Sequence, residues 1–126
     1  MKIIHIITDL DTGGAEMMLY KLLSSMHDEA LNFLVISLMG RGKITEKIEA
    51  LGVKVEMLDL KQGNRPSWQT IKKLRQFMRA FNPDIVQGWM YHGNIAATVA
   101  VFLFDPMRRK VKLFWNVRQT LYDINS

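Results

Sequence analysis

The apolar positions of this chain change period at regular intervals. Over residues 2–8 both alternating faces are apolar (Ile3, Ile4, Ile6, Ile7), as in a parallel strand covered by helices on each side. Gly13 and Gly14 break the pattern, and over residues 15–26 Met18, Leu19, Leu22, Leu23 and Met26 recur at helical spacing. Next come a strand at 32–38, a helix at about 44–51 stopped by Gly52, and a strand at 53–58. A third helix is predicted from Ser67, an N-cap residue, to Phe81, with Trp68, Ile71, Leu74, Met78 and Phe81 on one face. Asn82-Pro83 ends it. A strand at 84–89, a helix at 94–104 and a strand at 111–116 complete the series.

Strands alternating with helices predict an α/β fold: a doubly wound, Rossmann-like parallel sheet of about five strands in the order 3-2-1-4-5, with helices on both faces. A length of 126 residues supports one core, and 48% hydrophobic with 23% charged residues is a globular composition. With no linker or low-complexity tract in view, residues 1–126 read as one domain. The apolar run at 95–104 is about half of the roughly 20 residues a membrane crossing needs, so it is read as a buried helix.

Composition narrows the chemistry. Without cysteine there is no disulfide framework, thiolate metal site or Cys nucleophile, and a reducing, cytoplasmic setting fits. The first apolar run is too short for a signal sequence. A net charge of +5 favours anionic partners such as nucleotides, nucleic acid or acidic lipid.

In such sheets ligands bind beyond the carboxyl ends of the strands, where the loops after strands one and four diverge. The first of these loops reads D-L-D-T-G-G-A-E. Gly13 and Gly14 let a backbone approach a ligand closely, and the helix after them offers unpaired N–H groups to an anion. It is neither G-x-G-x-x-G nor a P-loop with its Lys. The structural reading is that Gly13 caps the helix and Glu16 completes a capping box. The second loop, residues 90–94, carries Tyr91, His92 and Asn94. His92 there serves proton transfer, a sugar hydroxyl or a structural hydrogen bond.

The spacing of His5 and His27 offers no metal constellation. Arg41, Lys43, Lys61, Arg65 and Arg118 fall on the carboxyl-end loops and would make the cleft side basic, although each alone also reads as a solvated charge. The cluster Arg108, Arg109, Lys110 and Lys112 falls at the opposite end, as a solvated turn or a contact with anionic lipid. Lys72, Lys73, Arg75 and Arg79 read as the polar face of the third helix.

K-I-I-H-I-I-T-D-L-D-T-G-G-A-E, then P-D-I-V-Q-G-W-M-Y-H-G-N from Pro83 and W-N-V-R-Q-T-L-Y-D from Trp115, resemble family 4 glycosyltransferases of the two-domain GT-B architecture. The resemblance covers essentially the whole chain and is weakest from Arg41 to Arg65. It implies retaining transfer of a sugar from a nucleotide-sugar donor to a glycan or lipid-linked acceptor, without a metal or other cofactor. In this family the amino-terminal domain mainly holds the acceptor while its glycine loop, here Gly13 and Gly14, reaches the donor phosphates. The donor domain with its Glu-x₇-Glu motif is not in this chain.

The resemblance further implies that residues 1–126 are a partial amino-terminal domain, inactive alone. Many relatives carry His-x-His at the end of strand four, where this chain has Gln87-Gly88-Trp89 and a His only at His92. That departure weighs against a catalytic role, so no catalytic residue is assigned and His92 is kept only as a candidate, with Glu16, Tyr91, Asn94 and Arg118 candidate acceptor or cleft contacts. The chain ends nine residues after Val117, so apolar surface near strand five is expected to favour self-association. Peripheral contact at the cytoplasmic membrane face is compatible with this reading.

Two other classes compete. A phosphoacceptor receiver domain has similar length, with Asp9, Asp11 and Asp59 mimicking its acidic pocket, but its Lys after strand five is missing and Gly13-Gly14 has no role there. A nucleic-acid module would use the +5 charge and the basic third helix, but no recognised module or aromatic-basic interleaving is present, so no nucleic-acid partner is expected.

Overall fold

The structure, a computed structural model, describes residues 1–8, 14–60, 68–105 and 111–115. Its elements are β1 (Ile3–Ile7), α1 (Gly14–Ser25), a 3-10 segment (His27–Asn32), β2 (Phe33–Ser37), α2 (Thr45–Ala50), β3 (Lys54–Met57), α3 (Trp68–Phe81), β4 (Ile85–Trp89), α4 (Met90–Phe104) and β5 (Lys112–Trp115). All strand pairs are parallel and the order is β3-β2-β1-β4-β5. This is the expected doubly wound sheet. β1 lies at its centre because the chain winds outward through β2 and β3, then returns through α3 to β1's other side.

Alternation along the strands divides the interior into two cores. Ile4 and Ile6 of β1, with Leu34, Ile36 and Val86, meet Leu74 and Met78 of α3 and Ala97, Ala100 and Val101 of α4. Ile7, Phe33, Val35, Val55 and Trp89 meet Leu19 and Leu23 of α1 and Ile48 of α2. Burial on both faces explains why β1 and β2 are continuous apolar runs rather than alternating ones.

Three sequence expectations are corrected. α4 starts at Met90, four residues before the expected start, so Tyr91 and His92 belong to a helical first turn and not to a loop. The helix containing the 95–104 run is not buried all round, since Ile95, Val99 and Phe102 are exposed. Trp68 is 69% exposed, because α3 rests on the sheet through Leu74 and Met78 while Trp68 falls on the helical face of Lys72, Arg75 and Arg79.

Backbone bonds tie the amino ends together. Asp84 accepts the Lys2 N–H through Oδ2 at 2.8 Å, while Lys2 O accepts the N–H groups of Asp84 and Ile85. At the other edge, Asp105 Oδ2 accepts the Val111 N–H at 2.9 Å and sets the entry to β5.

Candidate functional site

In a sheet of this order the crevice belongs where the strand order reverses, here between the carboxyl ends of β1 and β4, and glycine shapes the packing at that point. A Cβ on Gly93 would stand 2.7 Å from the Ile6 carbonyl oxygen and 3.3 Å from Ile7 Cα. A Cβ on Gly88 would stand 2.6 Å from Asn94 Cα and 2.8 Å from the Gly93 carbonyl oxygen. Only hydrogen at both positions lets the first turn of α4 lie directly on the ends of β1 and β4. Trp89 is the extended N-cap of α4 and supplies no side-chain cap. The first-turn N–H groups of a 15-residue helix therefore open at this crevice with the positive end of its dipole. α1 also begins at this end of the sheet, at Gly14.

Beneath the crevice lie polar groups. The Thr8 hydroxyl, just beyond the end of β1, is buried without a hydrogen-bond partner in the protein. Glu16, in the first turn of α1, is buried on the same helical stripe as Leu19 and Leu23, so its side chain enters the interior rather than lining the cleft surface. His5 is 2% exposed, and its Nδ1 accepts the indole N–H of Trp89 at 3.0 Å. The ring proton must then sit on Nε2, which is buried and has no partner. Burial pushes the His5 pKa down to about 4, so the ring is neutral across the physiological range. Its role is to hold Trp89, and with it the start of α4, on the central strand.

Of the expected site residues, Gly14 and Glu16 lie in the first turn of α1, which follows β1, and Asn94 lies near the start of α4, which follows β4. Asn94 is half-buried, its Oδ1 packed against Gly88 and its carbonyl oxygen accepting the Thr98 hydroxyl at 2.9 Å. Tyr91 and His92 are the second and third residues of α4, while their side chains lie outside the described part, as do Gly13 and Arg118 altogether. Asp9, Asp11, Lys61, Arg65, Arg108, Arg109 and Lys110 also lie outside the described residues. Arg41, expected to add positive charge to the cleft, instead pairs with Glu49 of α2 at 2.6 and 3.3 Å.

Sequence reasoning passed over Gly88, Gly93 and the His5–Trp89 bond. The glycines lay inside a noted motif but were unmarked, since the close approaches they permit, Gly93 to Ile6 and Ile7 of β1 and Gly88 to Gly93 and Asn94 of α4, exist only once α4 is seated on the sheet. A polar ring among four isoleucines was the available sign for His5. Among the described residues no group of His, Asp and Glu side chains is arranged to hold a metal ion. No protein-family model matches the chain, and no curated protein shows significant similarity to it.

Proposed function

We propose that the chain is the acceptor-side, amino-terminal part of a retaining glycosyltransferase that moves a sugar from a nucleotide-sugar donor to a glycan or lipid-linked acceptor. One observation carries the reading: α1 and α4 both present their N-termini at the crevice between β1 and β4, above the buried Thr8 hydroxyl. Backbone N–H groups and two positive dipole ends favour the phosphates of a nucleotide sugar, and a hydroxyl suits a sugar or phosphate oxygen. Gly14 begins α1 without a side chain that would keep a phosphate away. His92 and Asn94, near the start of α4, are assigned to contacts with the acceptor.

The strand order weighs against a phosphoacceptor receiver, whose sheet runs 2-1-3-4-5 and sets its third strand beside the first. Here β2 separates β3 from β1, so Asp59 after β3 stands by Gly40 of the β2 loop and away from the end of β1.

The test compares two proteins. The 126-residue chain alone should transfer no sugar, whereas the chain joined to a donor-binding domain should, and Gly14→Val should abolish that turnover while the domain keeps its circular dichroism. Transfer by the 126 residues alone, or full activity in Gly14→Val, would overturn the proposal.

A further inference from the structure

The helix layer formed by α3 and α4 carries a surface that the crevice does not use. The two helices lie against one another on the same side of the sheet, sharing one core through Leu74 and Met78 of α3 and Ala97, Ala100 and Val101 of α4. Their outer faces differ in kind. The 14 residues of α3 include no acid, and Lys72, Arg75 and Arg79 are exposed at spacings of three and four. The 15 residues of α4 include no charge at all, and on the side opposite its buried alanines Ile95 is 46%, Val99 39% and Phe102 66% exposed. Trp68 stands exposed at the start of α3, with Lys72 Nζ 6.0 Å from its ring centroid.

A helix resting on a sheet ordinarily turns a polar arc to water, and α3 does so. α4 turns a second apolar stripe outward instead, spaced at i, i+4 and i+7. We infer that the joined outer face of α3 and α4 docks on an anionic lipid bilayer. Ile95, Val99 and Phe102 enter the boundary of the acyl chains, the α3 cations meet the headgroup phosphates, and Trp68 takes the interfacial position that suits its ring.

Charge complementarity selects this occupant over two others. A second copy set against the same face would bring two acid-free α3 helices together, opposing cation to cation around the apolar contact. A nucleic acid would satisfy the cations but leave the α4 stripe in water. Only an acidic surface with an apolar interior meets both requirements at once. The inference goes beyond the proposed reaction and does not depend on it.

The experiment sediments the 126-residue chain with phosphatidylglycerol–phosphatidylcholine vesicles and with vesicles of phosphatidylcholine alone. Binding is expected to the first and not the second, weakening as salt is added. The triple variant Lys72→Gln, Arg75→Gln, Arg79→Gln should lower the partition coefficient roughly 100-fold, from about 1 kcal/mol per cation near the surface. Phe102→Ser should lower it roughly 10-fold. All four positions are exposed, and native circular dichroism should be retained. In the unmodified chain, brominated phosphatidylglycerol should quench tryptophan emission, and Trp68→Phe should remove most of that quenching. Equal binding to both vesicles, no binding, or binding indifferent to Phe102→Ser would overturn the inference. So would a dimer dispersed by Phe102→Ser without vesicle binding, or retention on duplex DNA in its place.

Discussion

Gly88 and Gly93 show how a single hydrogen atom positions a helix. Each lies against main chain, which has no rotamer by which to give way, so a methyl group there must move α4 away from β1 or β4. Gly88→Ala and Gly93→Ala are each expected to destabilise the chain by about 1–3 kcal/mol, read from urea unfolding. Gly40→Ala is the contrast, because its Cβ would meet nothing nearer than the Asp59 carboxylate at 3.4 Å. It should stay within about 0.5 kcal/mol of the parent.

His5 makes a second prediction at this scale, with a sign that can be worked out. Its folded pKa of about 4 lies below the ordinary value of 6.5, so between these values the unfolded chain binds a proton that the folded chain does not. Stability is full above the upper value and falls as pH drops through the window, by about 3 kcal/mol in total. His5→Gln keeps an acceptor for Trp89 and has no ring to titrate. Its stability should change less between pH 6.5 and 4 than the parent's, and equal slopes in a denaturation series would refute the assignment.

At the scale of elements, period announces a helix but not the face that touches its neighbour. α3 was legible as amphipathic, yet the same pattern placed Trp68 with Leu74 and Met78. In the fold the tryptophan lies on the outward face with Lys72, Arg75 and Arg79, away from the face that meets the core. Leu74→Ala is therefore expected to cost about 2–5 kcal/mol, while Trp68→Ala stays within about 0.5 kcal/mol, both from thermal or urea unfolding. α4 differs again. Apolar on all sides, it has no sequence stripe that singles out its buried arc, and only its seating on Gly88 and Gly93 sets Ala97, Ala100 and Val101 inward. That seating also turned an expected loop into the first helical turn, so the main-chain groups of Tyr91 and His92 belong to a dipole end.

Across the whole molecule, the winding of the sheet decides where chemistry can occur. Because β1 pairs with β2 on one side and β4 on the other, the chain leaves its two ends in opposite directions and opens a crevice between them. The sheet edge beyond β4 is β5, where Phe114 is 50% and Trp115 53% exposed. Trp115 is held on the α4 side by its indole N–H to the Thr98 hydroxyl at 3.0 Å, so Phe114 faces the α1 and α2 side. An exposed pair of aromatic side chains on an edge strand is a surface on which the self-association expected from the sequence can be tested. Light scattering should show concentration-dependent association that Phe114→Lys removes, and a monomeric parent chain at high concentration would dismiss it.

The sequence by itself determined the period of each element, the parallel sheet and its strand order, because buried strands and amphipathic helices write their environment into local apolar spacing. It also singled out two strand ends as candidates for a site, through the glycines after β1 and the polar residues after β4. Only the tertiary structure decided that Glu16 turns inward, that Arg41 is occupied by Glu49, and that His5 meets Trp89 across 84 positions of chain. The physical reason is the same in each case. A local pattern reports whether a residue is buried or exposed, whereas a partner far along the chain is chosen by how the strands are ordered and how closely their backbones can approach.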